Sequence, residues 1–183
     1  MQQRYGFLFD VNRCIGCRSC EAACYNEQYE KSGLKFRRVE AIGPGIFLSQ
    51  SCNHCESPEC FRVCPNRAYT KRRDGIVLVD PSRCNGCGTC RRACPFGVPQ
   101  FNAKKNKIDK CNFCLPRLQR GLWLACVAAC HTGALKAIEL ERVEEKELLT
   151  MIEGLPDIRL TRPSIRYLPF QKRKRYLQKK PSG

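Results

Sequence analysis

The chain has 183 residues, 16 of them cysteine, and 33 basic against 17 acidic side chains give it a formal charge of +16. Cysteine at that level makes metal or cross-links as important to stability as an apolar core. The longest apolar run, Leu122 to Cys130, falls far short of the roughly 18 residues that cross a bilayer, and no charged leader with an apolar stretch and cleavage site opens the sequence, so neither a membrane span nor a cleaved signal peptide is expected.

Along the chain, Tyr5 to Asp10 reads as a strand leading into Cys14, Cys17, Cys20 and Cys24, spaced C-x2-C-x2-C-x3-C. Cys52, Cys55, Cys60 and Cys64 follow as C-x2-C-x4-C-x3-C. Ile76 to Asp80, after the turn residues Asp74-Gly75, predicts a second strand ahead of Cys84, Cys87, Cys90 and Cys94, which repeat the first spacing 70 residues on. Cys111, Cys114, Cys126 and Cys130 read C-x2-C-x11-C-x3-C, and Leu135 to Ile138 predicts the strand that leaves them. Residues 139–157 place Leu140, Val143, Leu148, Met151, Ile152 and Leu155 at roughly helical spacing, which predicts an amphipathic helix with its acids on a solvated face. Residues 158–183 hold nine basic side chains and no acid, together with Pro163, Pro169 and Pro181, and predict an extended arm that orders on a partner.

Three chemistries compete for four groups of four thiols. Disulfides fit poorly, because cysteines two residues apart make strained partners and nothing indicates an oxidising compartment. Structural zinc takes separated C-x2-C pairs, which the second and fourth groups supply. The triplets Cys14, Cys17, Cys20 and Cys84, Cys87, Cys90 instead place three thiolates within seven residues, as needed to wrap one face of an iron–sulfur cubane that a fourth ligand closes from elsewhere. Soft thiolates match such cores. Gly16, Ala22, Ala23, Gly86, Gly88, Ala93 and Gly97 are small enough to let the chain turn close to the sulfurs. Four [4Fe–4S] clusters are therefore the expectation, with zinc as the remote alternative.

The order of the groups, with Ser51-Cys52-Asn53-His54-Cys55-Glu56, Cys64-Pro65, Lys71-Arg72-Arg73-Asp74-Gly75 and Ala93-Cys94-Pro95-Phe96-Gly97-Val98-Pro99-Gln100, resembles the four-cluster iron–sulfur subunit of the dimethyl sulfoxide reductase family, whose relatives serve polysulfide, thiosulfate, nitrite and formate-type complexes. The likeness covers residues 4 to about 138. It implies an α+β fold of two nested bacterial ferredoxin-like modules, residues 1–50 with 96–138 outside and 51–95 inside, to which the helix read at 139–157 and the basic tail at 158–183 are added. It also implies an exchange of fourth ligands. The sets become Cys14, Cys17, Cys20 and Cys130; Cys24, Cys111, Cys114 and Cys126; Cys52, Cys55, Cys60 and Cys94; and Cys64, Cys84, Cys87 and Cys90. Pro65 and Pro95 follow their fourth cysteines as in ferredoxins, whereas Tyr25 and His131 stand at the other two such places. His131 and His54 can each reach a cluster sulfide, although satisfaction by backbone or solvent is the simpler reading.

Charge divides by region: +12 over residues 1–138, −5 over 139–157 and +9 over 158–183. Sixteen thiolates and four cores would add roughly −8 in all, so Arg13, Arg18, Arg91 and Arg92, close to ligands in sequence, are expected to compensate the clusters and raise their potentials. No phosphate loop, dinucleotide motif or catalytic constellation is present, and the chain reads as a non-catalytic conductor of single electrons. By resemblance its partners are a large molybdopterin-containing catalytic subunit, with molybdenum or tungsten, and an integral-membrane quinone-reactive subunit, which would bring the chain to a membrane. The tail is expected to dock on a partner subunit or a lipid surface. The alternatives are a subunit of a soluble formate or hydrogen complex, a free polyferredoxin carrier, or a zinc-stabilised nucleic-acid-binding protein. No nucleic acid is expected, because aromatics interleaved with basic residues are too few.

Overall fold

The computed structural model describes residues 3–29, 32–144, 148–152 and 160–171. At its centre β1 (Tyr5–Phe9) pairs on one edge, antiparallel, with β8 (Leu135–Glu139) and on the other, parallel, with β9 (Ile165–Tyr167). Phe7 and Phe9 are buried on this sheet, Phe7 packing against Phe113 with ring centroids 4.8 Å apart. The other strands form three antiparallel hairpins: β2 (Arg38–Gly43) with β3 (Ile46–Gln50), β4 (Tyr69–Lys71) with β5 (Val77–Val79), and β6 (Gln100–Asn102) with β7 (Lys107–Asp109). The strands expected at Tyr5, Ile76 and Leu135 are thus present as β1, β5 and β8, whereas the β2–β3 hairpin had no clear alternation to announce it.

The helices are short: α1 (Ser19–Gln28), α2 (Glu59–Arg62), α3 (Thr89–Ala93), α4 (Leu115–Leu118) and α5 (Ala125–Ala128). Isolated helices below about 12 residues are marginal in water, so these need tertiary anchors. Their buried residues are largely cysteines: Cys20 and Cys24 in α1, Cys60 in α2, Cys90 in α3 and Cys126 in α5. No helix among the described residues is long and apolar enough to cross a membrane.

The C-terminal part departs from expectation. Where residues 139–157 predict an amphipathic helix, β8 runs on to Glu139, Leu140–Arg142 form one 3-10 turn, and Leu149 bridges to Tyr167. Residues 145–147 and 153–157 of that segment lie outside the described residues. The bridge exists because β9 offers a free edge: Leu149 N–H donates to Tyr167 O at 2.8 Å and Tyr167 N–H returns a bond at 2.7 Å. The expectation of an arm ordered only on a partner also fails for residues 160–171. Ile165 and Tyr167 alternate with Arg166, and both apolar side chains are buried beside β1. Ser57 N–H donates to Thr161 O, Ser164 N–H to Asn53 O, and Leu168 N–H to Phe9 O, so this strap joins the loop after β3 to the central sheet. The remaining tail residues, 158–159 and 172–183, lie outside the described residues.

Candidate metal centres

Each cysteine group uses left-handed backbone to turn a short loop inward. In the first, Gly16 (φ 72°) and Arg18 (φ 60°) lie between Cys14 and α1, which carries Cys20 and Cys24 one turn apart on its buried face. The third repeats this with Gly86 (φ 78°) and Gly88 (φ 73°) before α3, with Cys94 at its C-cap. Gly86 is doubly constrained, because a Cβ there would stand 2.6 Å from the carbonyl oxygen of Asn106. His54 (φ 44°) takes the corresponding turn in the second group, and Phe113 and Cys114 (φ 59° and 47°) in the fourth.

Tertiary structure then brings cysteines of different groups together. Pairing of β1 with β8 and packing of α1 on α5 bring the first and fourth groups into one core that holds Cys20, Cys24, Cys114 and Cys126, with Cys14, Cys111 and Cys130 at its margin. Cys20 feels the charge of Cys126 and Cys130, and Cys24 that of Cys126 and Cys114. One cavity is lined by Cys52, Cys55, Cys60 and Cys94 together. Cys90 feels the charge of Cys64, Cys84 and Cys87. No three His, Cys, Asp or Glu side chains among the described residues converge closely enough to hold a single ion. A cubane needs no such convergence, since each thiolate binds a different iron at a separate corner.

Hydrogen bonds to sulfur are plentiful. Ala68 N–H donates to Cys64 Sγ (3.3 Å), Gly86 and Ile108 N–H to Cys84 Sγ (both 3.4 Å), Phe113 N–H to Cys111 Sγ (3.4 Å) and Leu135 N–H to Cys130 Sγ (3.3 Å). Ser19 Oγ donates to Cys17 Sγ at 3.5 Å, and together with backbone N–H donors this lowers the exposed Cys17 thiol below its ordinary pKa; Thr89 does the same for exposed Cys87. Burial acts the other way, pushing Cys24 and Cys55 up to about 12 and Cys114 up to about 11. Such thiols become thiolates only where a cationic core compensates for lost hydration. The residues present therefore fit iron–sulfur clusters: inward thiols, amide donors aimed at sulfur, and burial that a cationic core offsets.

The charges around these thiols are only in part the ones that proximity in sequence suggests: of the four arginines, Arg92 helps to lower the Cys87 thiol. Arg13, Arg18, Arg91 and Arg92 are exposed, where solvent and salt screen them. Among the described residues the buried cations are Arg37, just before β2, and Lys110, beside Cys111. Lys110 meets the same adjacency rule that singled out the exposed arginines, and only that clue was available for it. Arg37 is far from any cysteine in sequence, and its place depends on the unforeseen β2–β3 hairpin. His54 is buried, lines the Cys52 cavity and accepts a hydrogen bond at Nδ1 from Val77 N–H (3.0 Å), which puts its proton on Nε2, an atom buried with no partner. Desolvation keeps His54 neutral, its pKa far below the usual imidazole range. His131 is exposed.

Soft sulfur ligands held by buried amides in paired groups define a ferredoxin-like iron–sulfur protein. Sequence comparisons agree. A 4Fe-4S dicluster domain profile matches residues 44–140 and a 4Fe-4S binding domain profile matches residues 11–25. The chain is 38% identical over 181 residues to YnfG of Escherichia coli K12, a probable anaerobic dimethyl sulfoxide reductase chain, covering 90% of this chain and 88% of that one. It is 39% identical over 158 residues to the thiosulfate reductase electron transfer subunit PhsB of Salmonella typhi, covering 81% of each. It is also 42% identical over 143 residues to a tetrathionate reductase subunit of Salmonella typhimurium, covering 73% of this chain and 57% of that one. The chain belongs to the family of iron–sulfur electron-transfer subunits of molybdopterin oxidoreductases. It carries four [4Fe–4S] clusters and conducts electrons; it is not a catalytic subunit.

Proposed function

We propose that this chain relays single electrons between a molybdopterin-containing catalytic subunit and a quinone-linked membrane subunit, through four cubanes held by exchanged cysteines. The ligand sets are Cys14, Cys17, Cys20 and Cys130; Cys24, Cys111, Cys114 and Cys126; Cys52, Cys55, Cys60 and Cys94; and Cys64, Cys84, Cys87 and Cys90. The observation that carries this reading is the single cavity shared by Cys94 with Cys52, Cys55 and Cys60, since Cys94 is 30 residues beyond the last cysteine of their own group. Nesting of an inner module, 51–95, within an outer one, 1–50 with 96–138, follows from the same exchange.

When bound, the clusters supply one-electron redox stations. The protein's part is to hold them in order and keep water from most of them. Cys20 lies by Cys126, Cys111 by Cys52, and Cys60 shares a core with Cys84 and Cys90, so each set adjoins the next along a line from first to fourth. Cys17 and Cys87, one in each terminal set, are the two exposed thiols. Both ends thus offer a surface at which a partner can exchange electrons, while the middle sets are shielded. The names of the relatives, which are parts of dimethyl sulfoxide, thiosulfate and tetrathionate reductases, support a catalytic partner. Attachment to a membrane would come through a partner subunit, with the basic tail docking there or on lipid.

Anaerobically isolated protein should hold about sixteen iron and sixteen sulfide per chain and co-purify with a molybdopterin protein. Cys55→Ser and Cys94→Ser should remove the same paramagnetic resonance signal, and Cys64→Ser a different one. About eight iron, or loss of the same signal in Cys64→Ser and Cys94→Ser, would overturn the ligand sets, and a stable free monomer would favour a soluble carrier.

A further inference from the structure

Two buried cations stand among the ligand thiols, and no ion pair among the described residues includes either of them. Arg37, 2% exposed, donates from one terminal nitrogen to Ser49 O (3.3 Å) and Ser49 Oγ (3.0 Å) and from the other to Ser51 Oγ (2.7 Å), and its guanidinium carbon lies 4.9 Å from the centre of the Phe7 ring. Its Nε is buried without a partner. Because Ser49 Oγ accepts from Arg37, its own proton is free for Cys20 Sγ at 3.3 Å. The titratable groups that act most strongly on Arg37 are thiols, Cys126, Cys111, Cys20 and Cys24; His54 and the Tyr167 phenol, both uncharged at neutral pH, also lie in its field. Lys110 Nζ, 7% exposed as a residue, donates to Val77 O, to Cys111 O at 3.0 Å and to Cys52 Sγ at 3.6 Å, three acceptors for the three protons of an ammonium.

An unpaired buried charge is costly, and a protein ordinarily pairs or neutralises it. The groups available to balance these two are the ligand sulfurs. Arg37 faces the first set through Cys20 and the second through Cys24, Cys111 and Cys126; Lys110 reaches the third set at Cys52 Sγ and acts on Cys60, and it meets the second at the backbone carbonyl of the adjoining ligand residue Cys111. We propose that Arg37 and Lys110 hold up the reduction potentials at two successive junctions of the relay, Arg37 between the first and second sets and Lys110 between the second and third. Reduction adds negative charge beside a fixed positive one. At an effective dielectric constant of about 20, a unit charge a few ångströms away outweighs thermal energy several-fold, and burial removes the screening that weakens the surface arginines. Both residues act through the cofactor sites and neither takes part in electron transfer itself.

The inference rests on the ligand sets proposed above, and its test separates the two. Full-length protein in its native complex, isolated anaerobically, is titrated potentiometrically with paramagnetic resonance readout for wild type, Arg37→Gln, Arg37→Lys and Lys110→Gln, with iron and sulfide counted in each. Glutamine keeps hydrogen-bonding capacity and removes the charge. Arg37→Gln is expected to make reduction at least about tenfold less favourable, about 59 mV for a one-electron couple, at two of the four clusters. Lys110→Gln should do so at two, and one cluster should be moved by both. Arg37→Lys should leave the potentials near wild type. Wild type short of about sixteen iron defeats the ligand sets; full iron with unmoved potentials in both glutamine variants defeats only the inference. If Arg37→Gln loses iron, Arg37→Lys decides in its place: a shift there as large as that expected of the glutamine variant overturns the role of charge.

Discussion

A single atom decides whether the loop of the third cysteine group can close. Gly86 combines φ 78° with a missing Cβ that would otherwise meet the Asn106 carbonyl at 2.6 Å. Alanine there must strain the backbone and push against another backbone atom, neither of which can yield cheaply. Gly86→Ala is therefore expected to lose the cluster of the fourth set, read as a fall of about four iron per chain with the other three signals retained. Gly97 is a useful contrast, since its φ is 59° but nothing lies within reach of an added Cβ. The glycines could be picked out beside the cysteines in the sequence, but which of them tolerates no side chain depended on a carbonyl from the β6–β7 turn, 20 residues away.

Among the elements, β9 shows what a charge-dominated reading overlooks. Nine basic residues after position 157 conceal the short alternation Ile165-Arg166-Tyr167, and three residues are too few for periodicity to stand out. Once β1 has β8 on one edge, its other edge needs partners for its backbone groups, and β9 supplies them. Tyr167 is buried there, and burial raises its phenol above the ordinary value. A phenol whose folded pKa exceeds its unfolded pKa of about 10 contributes its full stabilisation below that pH. The contribution is lost as pH rises through and beyond about 10, because the unfolded chain ionises first. Tyr167→Phe has no such proton to lose. Its cluster absorbance should resist alkaline bleaching above pH about 10 better than that of wild type, relative to each protein's own stability at neutral pH; parallel curves would place the phenol in solvent.

Across the whole molecule, the charge changes meaning with location. Roughly half of the +16 is offset once four clusters bind. Two of the remaining cations are buried near the ligand cysteines, and part of the tail belongs to the core, leaving Lys172-Arg173-Lys174-Arg175 and Lys179-Lys180 as the concentrated basic segment. Its expected role is docking. Deleting residues 172–183 should leave iron content unchanged but weaken retention of the chain in its complex, with the difference from the full-length protein shrinking as salt rises, because exposed charges are screened beyond about 8–10 Å. Pull-down of the partner subunits over a salt series measures this; retention equal to that of the full-length protein at low salt would assign the segment to solubility alone.

Cysteine spacing by itself determined the chemistry, since three thiolates within seven residues suit one face of a cubane whatever the surrounding fold. It also located β1, β5 and β8, whose positions are marked by turn residues and by the ligand groups they border. Spacing alone left open which atoms meet across large separations: Cys94 with the second group, which only the family resemblance implied, Arg37 with Ser49 and the outer thiols, and the C-terminal strap with β1. Those meetings depend on how hairpins and short helices pack, and packing is a property of the whole chain. A lone arginine carries no mark of its burial until the hairpin that encloses it has formed.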